Sequence, residues 1–592
     1  MLFAITAASF ASVRLNNLVT ELLRVDSLSP AATLRFTNPR SGWVFLSLRA
    51  DVRMNEKVAL TSGGKVLLEV TPGSGPVAET MRLLPEGPCT LQITRTGAPA
   101  VGPLIVRAMP ETHFVRYPNE PRIPAQGRFS WDWLKANVLS TVNTVAGNPA
   151  AGIEAEIGEW TRSGRKFIAY GGLPHDKDLT GLKAFDLWSN NAGFRDPRLA
   201  GFIADEFSGR QHPLYPAWID GMRRLGDRMK GTGKAFYAYT GGPGMYIRPE
   251  ARELVRTVIE AGFYMAWERY HHEMPTEAEG RTYMDRILGG EIVKWKAAFP
   301  GLLRHLVMVL GIFMSGPELN VQPDVNYKVW MDMQMQYLAT HPEFDGLFGV
   351  HWWYSGGATE EILRWESALY RHYCIDGASD LLSGRYGWKY RLDHIANPDF
   401  VDGLTGWTAA SAAAGSIRTG YLERYARAQN RYWQRGVEPD DPSGNAYLWM
   451  KRQPGRPNVV TQQVRNLVPG HLYSAQMITA DFDDIRNGRS LEKRHAVSLT
   501  VEGAEAVSAG SYHSVAVRNG FTHPQLPFPE GQVWVNHHRQ MFRATQATAK
   551  LKISDWTSEG SSGGPDRQEL MVNYIQLEPY FEAPGRPQSE SR

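Results

Sequence analysis

Gly201-Phe-Ile-Ala-Asp-Glu-Phe-Ser208 is an apolar run that stops abruptly on two carboxylates. A strand buried on both faces reads as such a run, and in a parallel sheet its carboxyl end opens toward solvent. Runs of the same kind lie on either side of it: His113-Phe-Val-Arg-Tyr117, Thr141-Val-Asn-Thr-Val145 and Lys166-Phe-Ile-Ala-Tyr170 before, and Ala235-Phe-Tyr-Ala-Tyr239, Phe263-Tyr-Met-Ala-Trp267, His305-Leu-Val-Met-Val309 and Leu347-Phe-Gly-Val-His351 after. The intervals hold longer amphipathic stretches, among them Trp218 to Met229, Arg248 to Glu260, Thr276 to Phe299 and Asn326 to Thr340. Strands alternating with helices predict βα units, and eight units predict a closed (β/α)8 barrel of the TIM type over 113–378. A doubly wound open sheet that binds a dinucleotide would need a Gly-x-Gly-x-x-Gly turn after the first run, and none is there.

Outward from the barrel the period shortens toward two. Residues 1–112 carry short runs such as Ala32 to Phe36, Gly42 to Leu48, Lys65 to Val70 and Cys89 to Ile93, punctuated by Asn38-Pro-Arg-Ser-Gly42 and Pro85-Glu-Gly-Pro88. This predicts an N-terminal β-sandwich. A connecting linker is expected over 379–394, a second all-β domain over 395–582 and a disordered tail over 583–592. A chain of 592 residues is too long for one hydrophobic core, so several domains are required.

Lys and Arg total 64 against 61 Asp and Glu, a balance that gives no field suited to nucleic acid or an anionic membrane. A neutral ligand fits better, and the 18 Trp and 24 Tyr supply rings able to stack on sugar faces. Cys89 and Cys374 are the only cysteines, lie far apart, and are expected as buried free thiols without zinc, haem or a redox pair. Leu2 to Ala11 resembles the apolar half of a secretory signal, so a secreted or periplasmic protein is expected. No run is long and apolar enough to cross a membrane as a helix. The chain lacks a Gly-x-Ser-x-Gly elbow and a phosphate-cradling loop, and His271-His272 with Glu273 and His351 lack metal-ligand spacing. No cofactor or metal is expected.

Functional groups of a βα barrel stand where its strands run out. The fourth run ends on Asp205 and Glu206, the sixth on Trp267-Glu-Arg-Tyr-His271, and the eighth on His351-Trp-Trp-Tyr354. Strand alternation sends Asp205 and Glu206 to opposite sides, with Glu206 facing the mouth and Asp205 tuning it. The same alternation lets only one of Trp352 and Trp353 reach a ligand. Tyr170 and Tyr239, each followed by a glycine pair, His351 and Tyr354 complete the expected binding residues, with Trp267 and His271 beside Glu268.

This pattern resembles glycoside hydrolases of barrel fold, many of which carry a proton-donating Glu at the end of the fourth strand, commonly after Asn. The resemblance implies cleavage of an O-glycosidic bond in an oligosaccharide or polysaccharide, with Glu206 as general acid/base and Glu268 as nucleophile or base. Asp205 in place of Asn departs from the family pattern. So does the seventh run, which has no carboxylate before Glu318 where the family places its nucleophile. Ile395-Ala-Asn-Pro-Asp-Phe-Val-Asp-Gly-Leu-Thr-Gly-Trp407 is similar to the opening strand of jelly-roll carbohydrate-binding modules. Leu467 to Ala475 and Tyr574 to Pro579 are similar to their central and closing strands. Alternative readings are a non-catalytic carbohydrate-binding or surface-assembly protein, a lyase or metal-assisted hydrolase using Asp205, His271 and Glu273, and a substrate-assisted mechanism in which Asp205 orients an acetamido group.

Overall fold

The computed structural model describes residues 12–28, 32–121, 123–210, 212–314, 319–353, 355–423, 425, 444–517 and 533–582. The signal-like Leu2 to Ala11, Tyr354, Glu318 and the tail 583–592 lie outside the described residues.

Eight parallel strands close into a barrel: Glu111–Tyr117, Thr144–Gly147, Lys166–Gly171, Gly201–Ser208, Ala235–Gly241, Tyr264–Arg269, Leu306–Gly311 and Gly349–Trp353. The last pairs with the first through Glu111↔Gly349 and His113↔His351. Their apolar residues are buried because a layer of helices covers the outside; every residue of Leu306–Gly311 is buried. Tyr215–Met229 and Pro249–Glu260 each carry proline in the first turn, where its missing N–H costs nothing.

The helix expected over 276–299 is interrupted. Glu277–Met284 begins under a capping box between Thr276 and Glu279, gives way to a π-helical turn at Asp285–Gly289, and resumes as Gly290–Ala298. The Tyr337 hydroxyl occupies the space that a side chain at Gly289, in this turn, would fill.

The N-terminal domain pairs a five-stranded antiparallel sheet, containing Thr20–Val25, Gly42–Asp51 and Ala100–Met109, with a four-stranded one containing Thr33–Asn38 and Gly87–Thr96. Leu22, Val44, Leu60 and Leu91 fill the space between. Asn17 Nδ2 donates to Leu338 O at 3.1 Å, and Trp43 Nε1 donates to Glu111 Oε2 at 3.0 Å, fastening this domain to the barrel.

The C-terminal domain is a four-stranded antiparallel sheet facing a six-stranded one, with Leu448, Phe542, Leu551 and Ile575 between them. Tyr574 to Pro579 lies in the strand Glu569–Pro579, while Gly470 turns the chain into Leu472–Asp481. Ile395 to Trp407 is not a strand: Asn397 and Phe400 have φ of 48° and 57°, and the segment folds into turns. Asn397 Nδ2 closes them by donating to Gly403 O at 2.9 Å, and the Phe400 and Trp407 rings pack 5.1 Å apart in the core. The stretch 379–394 is packed too, with Leu382 and Tyr390 buried in the barrel's hydrophobic core. Cys89 and Cys374 are buried and unpaired.

Candidate active site

At the carboxyl end of the fourth strand the register with the fifth slips between Ala204↔Ala238 and Phe207↔Thr240. The extra residue is a β-bulge at Asp205-Glu206, and Glu206 takes a left-handed φ of 71°. Simple alternation therefore fails at the two residues where it mattered. Asp205 accepts a 2.6 Å hydrogen bond from the Tyr170 hydroxyl at the end of the third strand, and Glu206 is exposed.

Two strands on, Glu268 accepts from the hydroxyl of Tyr270. Burial, followed by the charges of Asp205 and Glu206, pushes its pKa up to about 8; the Tyr270 hydroxyl and Arg269 pull the other way. Burial also raises Asp205, reinforced by Glu206 and opposed by Tyr170 and Arg116. The three carboxyl groups thus act on one another, and Glu268 carries a pKa raised to about 8.

Trp353 forms the aromatic wall. Its ring lies 5.5 Å from that of Tyr170 and 5.5 Å from that of Tyr239, and the Arg116 guanidinium stands 5.4 Å and 5.8 Å from the Tyr170 and Trp353 rings. Arg116 sits at a register shift in the first strand with φ of 62°. Sequence reading missed it and Tyr270; the only signal for Arg116 was a charged residue just before the end of an apolar run.

Tyr239 and His351 are fully buried beneath the carboxylates, with Tyr239 Oη 2.5 Å from His351 Nδ1. Burial, aided by nearby His113, keeps His351 neutral by lowering its pKa well below the ordinary value. Both support the floor rather than present a surface to ligand. Deeper still, Glu111 accepts from Lys166 at 2.7 Å, Tyr237 at 2.6 Å and Trp43 at 3.0 Å, and lies 2.9 Å from His113. Burial alone would raise Glu111, but Lys166 and His113 outweigh it and hold the group ionised.

Trp267 and His271 stand elsewhere, and of the two adjacent tryptophans it is Trp353 that lies beside Tyr170 and Tyr239. Trp267 alternates with Glu268 and so points outward, 5.9 Å from Trp295 and under the Arg269 guanidinium. Trp352 likewise alternates with Trp353 and is buried in the barrel's hydrophobic core, facing away from the mouth. His271 has left the strand, lies 3.1 Å from the Tyr283 hydroxyl, and is pushed down to about 3 by burial and then by Arg269 and His272. Glu273, considered beside it for metal chemistry, accepts from the backbone of Val321 at 2.7 Å and Gln322 at 2.5 Å. Among the described residues no group of three His, Cys, Asp or Glu is arranged to hold a metal ion.

No protein-family model matches the chain, and no curated protein matches its sequence. Solved structures similar to it include a GH18 chitinase from Pseudoalteromonas aurantia, with 11% identity over 44% of this chain and 99% of that one and a TM-score of 0.29. An endo-β-N-acetylglucosaminidase from Cordyceps militaris shows 11% identity over 44% and 88%, with a TM-score of 0.33. The module TmCBM61, solved with β-1,4-galactotriose, shows 12% identity over 31% and 97%, with a TM-score of 0.17. Likenesses at this distance assign neither substrate nor reaction to this chain.

Proposed function

We propose that the chain is a glycoside hydrolase that cleaves an O-glycosidic bond in an oligosaccharide or polysaccharide at the barrel mouth. The observation that carries this reading is a set of three interacting carboxyl groups, with Glu268 raised to about 8 by burial and its neighbours, beside the Tyr170 and Trp353 rings. Glycosidic cleavage uses one carboxylic acid to protonate the leaving oxygen and one carboxylate to attack the anomeric carbon or activate water. Burial favours Glu268 as the proton carrier and leaves exposed Glu206 as the carboxylate partner, the reverse of the roles expected from the sequence. Asp205, oriented by Tyr170, adds to the burial that raises Glu268.

Glu268→Gln and Glu206→Gln are each expected to lower kcat by at least a hundredfold on a hydrolysable glycan, with binding retained. Reducing-end release and isothermal titration measure the two quantities; turnover unchanged in both variants removes the mechanism. The wholly apolar seventh strand favours a second reading, carbohydrate binding without turnover. Saccharide binding by a chain that releases no product would establish that reading instead. The expected site of action lies outside the cytoplasm, and fractionation of the producing cells tests it.

A further inference from the structure

The six-stranded C-terminal sheet lies against the mouth side of the barrel, and its strand Glu569–Pro579 reaches the chain that follows the seventh barrel strand. Tyr574 Oη donates to Asn320 O at 2.8 Å, Asn320 Nδ2 donates to Gln576 Oε1 at 2.9 Å, and Gln576 Nε2 donates to Asn320 Oδ1 and Val325 O, each at 3.2 Å. All three side chains are buried, so these bonds are shielded from competing water.

From Asn320 the contacts continue inward. Leu319 N donates to Phe313 O at 2.9 Å, and the Phe313 ring packs edge-on against Tyr270 at 5.0 Å. Tyr270 in turn donates its hydroxyl to Glu268. The same segment is tied to the aromatic wall, since Ile312 N donates to Trp353 O at 2.6 Å. Gly311 is packed so closely that a methyl group there would stand 2.7 Å from Leu319 Cδ1 and 3.0 Å from Tyr270 Cδ1.

We infer that the C-terminal sandwich is a working part of the barrel mouth, in which Tyr574, Gln576 and Asn320 act as positioning residues that hold Tyr270 and Phe313 against the Glu268 carboxyl. The inference deepens the proposed function by assigning control of that acid to another domain, and it rests on that reading only for the meaning of Glu268. The groups facing Glu268 are Asp205 and Glu206 from the fourth strand, Tyr170 from the third, Tyr239 from the fifth, and Arg269 and Tyr270 beside it. None of these residues is itself replaced in a variant at 574 or 576, so a shift in Glu268 reports a change in how they are held.

The test is an isotope-edited infrared titration of the full chain, with the Glu268 carboxyl band identified by its loss in Glu268→Gln. Gln576→Ala removes the paired amide bonds, and Tyr574→Phe removes one hydroxyl while keeping the ring. The expected result is a displaced Glu268 midpoint, higher by about one pH unit in Gln576→Ala where the Tyr270 hydroxyl that lowers it is released, and displaced less in Tyr574→Phe. A midpoint unchanged in both overturns the inference; if Gln576→Ala fails to fold, Tyr574→Phe alone decides. A midpoint that moves in a chain that hydrolyses no glycan keeps the positioning role and removes the glycosidase reading. Hydrolysis with an unmoved midpoint does the opposite.

Discussion

Tyr170 is the residue whose loss separates the roles of the carboxyl groups. Its hydroxyl stabilises ionised Asp205, opposing the burial that raises that pKa. Tyr170→Phe is therefore expected to raise the Asp205 pKa further, by about one unit, read as the midpoint of the Asp205 carboxyl band in an isotope-edited infrared titration. The alkaline limb of the pH–rate profile reports Glu268: an acid must be protonated to act, so the rate falls as pH rises through about 8. An Asp205 midpoint that stays in place would mean that the Tyr170 hydroxyl does not stabilise the ionised carboxylate. That Asp205, Glu206 and Glu268 stand at strand ends could be read from charge ending apolar runs, while the outward turn of Trp267 and His271 could not, because a rim aromatic or histidine looks the same on either side of a strand. The bulge that inserts an extra residue into the fourth strand left no composition signal to read.

At the scale of elements, the barrel strands were legible from eight apolar runs, since a closed parallel sheet buries both faces and leaves period two invisible. The broken helix over 276–299 and the turns of Ile395 to Trp407 were not, because the packing of Tyr337 against Gly289 and the bond from the Trp407 indole to Asn397 O leave no mark in local periodicity. The seventh strand's last residue is the sharpest case. Gly311 has no special φ, yet Leu319, Tyr270 and Phe313 crowd the place a side chain would take. Gly311→Ala is expected to destabilise the protein by about 1–3 kcal/mol through overpacking, with kcat falling alongside as Tyr270 shifts. Chemical denaturation followed by tryptophan fluorescence measures the first effect. Unchanged stability would mean the neighbours can give way, and the path from Phe313 to Glu268 would lose its rigidity.

Across the whole molecule the barrel and the C-terminal sandwich meet at buried charges. Lys328 Nζ lies 3.0 Å from Glu361 and 2.7 Å from Glu578, while Arg539 reaches Glu361 at 2.8 Å; the side chains are 0–8% exposed. Burial works against the Lys328 charge, but Glu361 and Glu578 outweigh it and hold its pKa above the ordinary value. Such a cluster contributes little net stability over an apolar substitute, yet breaking it leaves a carboxylate stranded. Lys328→Met is expected to cost about 3–5 kcal/mol, because Arg539 remains for Glu361 while Glu578 loses the partner nearest to it. The loss should fall on the junction, so that a single thermal transition in the parent chain divides into two, the sandwich and barrel melting apart. Lys328→Met combined with Glu578→Met should recover much of the loss, since the stranded charge is removed with its partner. If Lys328→Met leaves one transition at the parent temperature, the ion cluster does not join the domains, and their union rests instead on Asn320, Tyr574 and Gln576.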